Sequence, residues 1–433
     1  MAELSVCGNE LVLTLTRMEK IAGVHGDVTV PLAQVRDVDV VADAFANIGG
    51  TRAPGLAVPR RIRIGTCRGG GARTFVVARG RLPAVRVRTV GRAAGAEFDQ
   101  LIVSSADALV VAGRIRDAVE DGRPGVTERE VAFRSGDGTL LAGTLTVPDG
   151  GQPGPVALIL TGSGQVDRDG DHPQLSIGIS RALANALARN GVASLRYDKR
   201  GVGRSGGNFC SAGFADNLED AASAIEWLRT TAGFARSAIA VIGHSEGACH
   251  AIALGADRGV GIAAVVLLAG PAATGEATLM WQSGQVMAGL SAPVRMLVRV
   301  LRIDVAARQR NALRRLRASS GDVAWMGPRR INARWFREFL DFDPKPLLQQ
   351  IHSPVIAITG AKDIQVDPND LEVVAALVPG PVDTVRMPDL THLMRRDPGT
   401  PSLGAYRRLV REPVDPEVLE LVSDWTAGHL RRV

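Results

Sequence analysis

From residue 155 to the C-terminus, short apolar runs alternate with amphipathic helical segments, and this rhythm constrains the fold more than any other feature. The runs are nearly continuous in Val, Ile, Leu and Ala, as in PVALIL, VASLRY, SAIAVIG, GIAAVVLLAG and SPVIAIT. Strands that are apolar on both faces are buried on both faces, and helical crossovers between them make the strands parallel. The pattern predicts a doubly wound α/β sheet, preceded by a hairpin over VAFRSGDGTLLAGTLTVP.

The first 118 residues follow a different rhythm, in which short runs alternate apolar and polar residues, many of them separated by Gly, Asp, Asn or Pro. One helical pattern, DALVVAGRIRDAVED, closes this part. Strands of period two that are broken by turn residues predict an antiparallel sheet. A curled sheet closed by one C-terminal helix resembles the bacterial pleckstrin-homology-like fold. The resemblance implies a small, mainly-β domain over residues 1–118.

The two patterns predict two domains, and a chain of 433 residues is long enough for both. Residues 119–127 are polar, include a Gly-Arg-Pro-Gly run and are typical of a linker, so the second domain is expected over residues 128–433. A long helical stretch, about residues 271–343, interrupts the alternation of strands. Insertions of this length often cover a site, so we predict a helical cap that sets the size of the group bound beneath it.

The net charge of +6 comes almost entirely from arginine, because the chain has only four lysines: Lys20, Lys199, Lys345 and Lys362. No RNA-binding aromatic motif, zinc-knuckle spacing or basic tail accompanies this charge, so we expect no nucleic-acid partner. The Arg-rich run VRMLVRVLRIDVAARQRNALRRLRAS is interpreted as the solvated face of a cap helix. Binding of an acidic substrate or a membrane surface is the alternative.

The chain begins MAELSVCGNELVLTL, without the basic and apolar regions of a signal peptide. Its longest apolar run, VGIAAVVLLAGPAA, is too short to span a bilayer. Four scattered cysteines without a C-x-x-C pair are typical of reduced, mostly buried thiols. We therefore expect a soluble, cytoplasmic protein without stable membrane insertion.

One serine stands on a turn between a predicted strand and a predicted helix, in AIAVIGHSEGACHAIAL. Gly243–Gly247 reads Gly-His-Ser-Glu-Gly, which is the G-x-S-x-G pattern. Between a strand and a helix this turn strains the serine backbone and lifts the hydroxyl above the sheet, while the flanking glycines avoid clashes. The glycines alone are also typical of an ordinary turn between a strand and a helix, but the context favours Ser245 as a nucleophile.

A serine nucleophile needs a base that is oriented by an acid, and these groups lie on loops at the carboxyl ends of later strands. Asp363 follows the predicted strand SPVIAITG, and His392 follows the next strand, VDTVRM. Asp367 is a competing acid, although it lies further from the strand end. His429 falls within the last predicted helix and is interpreted as a helix-end residue.

Three other histidines lie near the proposed site. His244 and His250 are close to the nucleophile in sequence, but the turn directs the hydroxyl away from its own helix. We interpret both as residues that pack or form local hydrogen bonds. His172 lies in a loop near the expected mouth of the site, where a structural role is favoured over contact with a substrate.

The oxyanion that forms when a serine attacks a carbonyl needs two N–H donors. One is expected to be the backbone amide of Glu246, which directly follows the nucleophile. The other is expected from the loop Thr161–Gly164, which ends the strand PVALIL and contains small residues. Ser163 is the first choice for this donor and Gly164 the second.

Five motifs in this order resemble those of the bacterial α/β-hydrolases of the esterase and acylaminopeptidase-like group: TGSGQVDRDGD, LRYDKRGVGRSGG, GHSEG, GAKDIQV and THLMRR. The resemblance covers about residues 128–433. It implies an α/β-hydrolase fold with Ser245, Asp363 and His392 as the catalytic triad, and with Thr161–Gly164 as the oxyanion loop.

In that group the turn Asp198–Gly201 is generally a structural loop, so no chemistry is assigned to it. The THLM sequence departs from the commoner Asn-His-Leu-Phe form, a difference that concerns the wall of the pocket more than the base.

The favoured hypothesis is a serine hydrolase that cleaves carboxylic esters, thioesters or small amides through an acyl-enzyme on Ser245. This chemistry needs no metal and no organic cofactor, and its partner is a small acyl ester. The alternative is a catalytically idle binding or scaffold protein that is recruited through its N-terminal domain, whose partner the sequence does not identify. An intact set of serine, acid and histidine in the expected order argues against the alternative. All these residues follow Thr161, so the first domain is expected to be dispensable for the chemistry.

Overall fold

The computed structural model divides into two compact units, Met1–Pro124 and Gly125–Val433. It describes residues 2–7, 10–48, 51–58, 61–69, 72–80, 82–89, 97–121, 126–148, 154–234, 238–289, 296, 304–326 and 329–431.

The described part of the N-terminal unit is mainly β, as predicted. Three strands form a small antiparallel sheet: β1 (Glu3–Cys7), β2 (Glu10–Thr14) and β3 (Val28–Pro31). Six more form a second sheet in the order β4-β8-β9-β7-β6-β5. They are β4 (Val35–Val41), β5 (Thr51–Val58), β6 (Ile62–Gly69), β7 (Ala72–Arg79), β8 (Ala84–Thr89) and β9 (Gln100–Ser104).

Two features of this unit differ from the expected antiparallel sheet closed by one helix. Strand β9 lies between β7 and β8 and pairs with β7 in parallel. A helix, α1 (Arg17–Gly23), lies between β2 and β3 and begins at a capping box, in which Thr16 and Glu19 each bond the other's backbone N–H. The predicted closing helix is α2 (Ala108–Asp121), and its apolar face packs into the core of the unit with Phe75 and Leu101.

The predicted linker, residues 119–127, overlaps the elements on both sides of it. Helix α2 extends to Asp121 and the next strand begins at Val126. Residues 122–125 lie outside the described residues.

The second unit contains the predicted doubly wound sheet. Within the described residues it has the order β10-β11-β13-β12-β14-β15-β18-β19, and every pair from β13 to β19 is parallel. The strands are β10 (Val126–Arg134), β11 (Leu140–Pro148), β12 (Val156–Leu160), β13 (Ala193–Tyr197), β14 (Ile239–His244), β15 (Ala264–Leu268), β18 (Val355–Gly360) and β19 (Val382–Met387). Strands β10 and β11 form the predicted antiparallel hairpin.

Helices cover both faces of this sheet and bury two separate apolar clusters against it. One face carries α3 (Ile179–Arg189) and the last helix, α12 (Pro416–Leu430). The other carries α4 (Phe214–Thr230), α5 (Glu246–Ala256) and α10 (Asp370–Leu377). A short helix, α11 (Tyr406–Leu409), precedes α12.

The register of the parallel strands decides where the loops meet. Leu160 pairs with Gly243, and Gly360 pairs with Met387. Strands β12, β14, β18 and β19 therefore end at the same edge, and the loops that follow them share that edge.

The insertion over residues 271–343 contains the predicted helices and also a two-stranded sheet that the sequence pattern did not indicate. Its elements are α6 (Gly275–Ala288), α7 (Val305–Ala318), β16 (Val323–Met326), β17 (Arg329–Asn332) and α8 (Ala333–Asp341), followed by α9 (Lys345–Leu348). In α7, Leu313 and Leu316 are buried while the arginines are exposed, in agreement with the solvated face expected from the sequence. Residues 290–295 and 297–303 lie outside the described residues.

The four cysteines are unpaired, and Cys67 and Cys249 are buried. Among the described residues, none of the helices combines the length and the apolar character needed to cross a membrane.

Candidate active site

Ser245 occupies a strained turn between β14 and α5. Its backbone angles, φ of 55° and ψ of −116°, lie in a region that residues other than glycine rarely adopt. A Cβ at Gly243 would lie 2.1 Å from the carbonyl oxygen of Gly247, and a Cβ at Gly247 would lie 2.3 Å from that of Leu160. Both glycines are therefore required by close backbone contacts, as the sequence pattern predicts.

His392 and Asp363 meet at the same edge of the sheet. Nδ1–H of His392 donates to Oδ2 of Asp363 at 2.8 Å, and both side chains are buried. The other carboxylate oxygen, Oδ1, accepts from the backbone N–H of Gln365 at 2.7 Å and of Val366 at 3.0 Å. A carboxylate only accepts hydrogen bonds, so Nδ1 carries the imidazole proton and Nε2 remains free to act as a base.

The competing candidates take other partners. Oδ1 of Asp367 accepts from the backbone N–H of Asn369 at 3.0 Å, within the turn that leads into α10. Nδ1–H of His429 donates to the carbonyl of Trp425 inside α12. Nδ1 of His172 accepts from the backbone N–H of Gln174 at the pocket rim.

His244 has a role that the sequence did not reveal. Its Nε2–H donates to the carbonyl oxygen of His392 at 2.9 Å, and the two ring centroids lie 4.9 Å apart. The residue before Ser245 thus holds the backbone of His392, which is 148 positions away in sequence. Burial, followed by the nearby His392, lowers the pKa of His244 to about 3, so His244 stays neutral.

We expect this lowered pKa to make the fold sensitive to mild acid. An unfolded histidine titrates near pH 6.5, so His244 contributes fully above that pH and its contribution declines as the pH falls towards 3. His244→Gln keeps a donor for the carbonyl of His392 and removes the titration. As the pH falls from 6 to 4, the unfolding free energy of the wild type should decrease more steeply than that of this variant. The difference between the two slopes should be about 1 kcal/mol per pH unit. Urea titrations over this range measure the difference.

His352→Gln, at an exposed histidine, is the matched control and should follow the wild-type dependence. Parallel curves for wild type and His244→Gln would contradict the prediction.

A pocket of about 370 Å³ opens at this edge of the sheet and is lined by Ser245 and His392 together with the loop that follows β12. Apolar side chains form much of its wall: Val166, Leu175, Ile177, Ile179, Leu393 and Leu403. Polar side chains at the pocket include His172, Gln365, Tyr406 and Arg407.

Among the described residues, none from the insertion lines this pocket, but residues 290–295 and 297–303 of the insertion lie outside them, so a cap that sets the size of the bound group stays a prediction. The walls come instead from segments near residues 162–180 and 393–407. The insertion reaches the site indirectly, because Nε2 of Gln282 in α6 donates to Oε1 of the pocket-lining Gln365 at 3.2 Å.

The two expected oxyanion donors lie beside the nucleophile. Ser163 lines the pocket, and a Cβ placed on the preceding Gly162 would lie 3.4 Å from Cβ of Ser245. Glu246 is the first residue of α5, where a backbone N–H has no acceptor within the helix. Among the described residues, neither of these two backbone N–H groups has a hydrogen-bond acceptor.

A buried polar cluster lies behind Ser245. The carboxylate oxygen Oε1 of Glu246 accepts from Nδ2 of Asn217 at 3.1 Å and from Nε2 of His250 at 3.3 Å. It also pairs with Nζ of Lys199 at 3.2 Å. The local hydrogen bond of His250 agrees with the structural role expected for that residue. Among the described residues, no group of three or more His, Cys, Asp and Glu side chains is arranged to hold a metal ion.

The family described as serine aminopeptidase, S33, matches residues 175–398, just over half of the chain. Esterase EstD of Thermotoga maritima is 26% identical over 291 residues, which are 66% of this chain and 65% of that protein. The chain thus matches slightly less than two thirds of the length of this curated relative.

Two solved structures are similar over 70% of this chain. They are Est1E from Butyrivibrio proteoclasticus with bound ferulic acid (17% identity, 98% of that chain, TM-score 0.46) and the α/β hydrolase GrgF from Penicillium sp. sh18 (18% identity, 99% of that chain, TM-score 0.47).

Proposed function

The chain belongs to the serine aminopeptidase family, S33, and has the α/β-hydrolase fold, and from this premise we propose that it is a serine esterase. One observation carries the proposal: the strained turn of Ser245 and the hydrogen-bonded pair His392–Asp363 meet at the same pocket. Thioesters and small amides pass through the same tetrahedral intermediate and are included in the proposal.

In the proposed mechanism, Oγ of Ser245 attacks the carbonyl carbon of the ester while Nε2 of His392 takes the hydroxyl proton. Asp363 holds the imidazole in the tautomer that leaves Nε2 unprotonated, and it stabilises the imidazolium that forms. The backbone N–H groups of Ser163 and Glu246 bind the oxyanion. The imidazolium then protonates the leaving alcohol, and a water molecule that is deprotonated by His392 hydrolyses the acyl-enzyme.

The pocket favours small acyl groups. Its volume is about 370 Å³. The smallest typical ligand pockets have a volume of about 300 Å³, so this pocket is a small one. Apolar side chains such as Leu175, Ile177 and Leu393 suit a short hydrocarbon chain. We therefore propose that short-chain esters are cleaved better than long-chain esters. A cytoplasmic location is part of the same proposal, as is a first domain that contributes no catalytic group.

A fluorophosphonate probe tests the proposal, because it reacts covalently with an activated serine hydroxyl. We expect the wild-type protein to be labelled at Ser245, identified by peptide mass spectrometry, and to hydrolyse p-nitrophenyl acetate or butyrate. Ser245→Ala should not be labelled, whereas Ser180→Ala, which removes another hydroxyl at the pocket, should be. If the wild type is neither labelled nor active on short esters, the esterase proposal fails and the scaffold alternative is favoured.

A further inference from the structure

An ion pair without a place in the mechanism lies directly behind the nucleophile. The ammonium of Lys199 and the carboxylate of Glu246 are 3.2 Å apart, and their side chains are only 9% and 2% exposed. Burying two charges costs free energy that their attraction does not always offset, so a buried ion pair is weak evidence for stability alone. The position of this pair therefore calls for another explanation.

Lys199 also holds the loop after β12. Its Nζ donates to the carbonyl oxygen of Gly162 at 2.6 Å. This carbonyl belongs to the same peptide unit as the N–H of Ser163, and in a trans peptide the C=O and the N–H point in opposite directions. A bond that draws the carbonyl towards Lys199 therefore turns the N–H of Ser163 away from Lys199.

Glu246 carries the second N–H of the proposed oxyanion hole on its own backbone. Its side chain is fixed by three donors, Lys199, Asn217 and His250. Burial alone would raise the pKa of Glu246, but the charge of Lys199 and the hydrogen bond from His250 lower it to about 2. The carboxylate is therefore ionised at neutral pH.

A lysine suits this position better than an arginine. The space beside it, lined by Tyr197, Asn217 and His250, has a volume of only about 10 Å³. A compact ammonium with three donors can bond a carbonyl and a carboxylate there, whereas a planar guanidinium needs more room. The chain has only four lysines against its many arginines, and one of them stands here.

We propose that the Lys199–Glu246 ion pair positions the oxyanion hole, because it ties the peptide that carries the N–H of Ser163 to the residue that carries the second N–H. Lys199 and the side chain of Glu246 are positioning groups that do not touch the substrate. The inference rests on the proposed esterase function and extends it to the turn Asp198–Gly201, to which the sequence assigned no chemistry.

Lys199→Met tests the inference by removing the donor to Gly162. We expect kcat for a short p-nitrophenyl ester, normalised to the sites titrated by the fluorophosphonate, to fall about 10- to 100-fold. This is less than the loss of a whole oxyanion donor. KM should change less than threefold. A short-chain alkylboronic acid, which forms a tetrahedral anion on the serine, should bind more weakly by a similar factor to the loss in kcat.

Two further variants separate positioning from a structural role. Glu246→Gln retains an acceptor for Lys199 and leaves the bond to Gly162, so its kcat should fall less than that of Lys199→Met. The double variant Lys199→Met/Glu246→Gln removes the unpaired buried charge and should regain thermal stability, while its kcat stays as low as that of Lys199→Met.

The inference is overturned if the double variant recovers both stability and kcat, or if Lys199→Met keeps kcat within twofold of the wild type. A loss of kcat without weaker boronate binding overturns it as well. If Lys199→Met does not fold, kcat and boronate binding are measured in the double variant and in Glu246→Gln instead, and the same criteria apply. Failure of the esterase proposal is distinguishable, since the wild-type protein itself would then be neither labelled nor active.

Discussion

Ser245→Ala is expected to lower kcat for short-chain esters by about 10⁶-fold, the loss that follows when the nucleophile of a serine, histidine and acid set is removed. Without Oγ no acyl-enzyme forms, and only binding and the oxyanion donors remain to assist direct attack by water. The backbone should keep its strained turn, because the N–H of Ser245 donates to the carbonyl of Leu268 and both flanking glycines are retained. The measurement is the turnover of p-nitrophenyl butyrate, with circular dichroism to verify the fold.

Ser163→Ala is the matched control, because it removes a second hydroxyl from the same pocket and leaves the backbone N–H in place. Its kcat should stay within a few-fold of the wild-type value. Turnover by Ser245→Ala above about 1% of the wild type would place the nucleophile elsewhere and contradict the proposed mechanism.

The parts of the site that could be predicted from the sequence are those fixed by local pattern. Ser245 lies between two glycines at the end of an apolar strand, and Asp363 and His392 follow later strands of the same kind. Parallel strands with helical crossovers end at one edge of a sheet, so the order of these residues implies their proximity. The structure does bring Asp363 and His392 together and sets Asp367 apart in its own turn.

The contacts that support the site could not be predicted, because they join residues that no local pattern relates. The ring Nε2–H of His244 donates to the carbonyl of His392, and Nζ of Lys199 donates to the carbonyl of Gly162. Both acceptors are backbone carbonyl groups, which every residue possesses, so no residue type in the sequence marks either contact. The order of the strands in the sheet creates these encounters: β13, which precedes Lys199, lies beside β12, and β14 is linked to β19 through β15 and β18.

Length and composition located the insertion over residues 271–343 without indicating where it packs. Its helix α6 reaches the site through the hydrogen bond between Gln282 and Gln365, while the described residues that line the pocket come from other loops. The N-terminal unit shows the same limit. Period-two patterns identified its strands, but whether β9 pairs beside β7 depends on long-range order, which periodicity does not contain.

Asp363→Asn is expected to lower kcat by about 10⁴-fold at neutral pH without unfolding the protein. The backbone N–H groups of Gln365 and Val366 both donate to Oδ1 of Asp363, so the carbonyl oxygen of an Asn must face them. The amide NH₂ then faces Nδ1 of His392, which has to accept a hydrogen bond instead of donating one. The imidazole proton moves to Nε2, and the base that should deprotonate Ser245 is lost.

Asp367→Asn is the control that separates the two acids, because Asp367 lies in the same loop after β18 but, among the described residues, forms hydrogen bonds within its own turn alone. We expect its kcat to stay within a few-fold of the wild type. KM for a short ester should change little in either variant, since neither carboxylate lines the pocket among the described residues. The reverse result, a large loss for Asp367→Asn and a small one for Asp363→Asn, would move the orienting role to Asp367. It would also require the loop after β18 to rearrange when substrate binds, because in the present geometry only Asp363 reaches Nδ1 of His392.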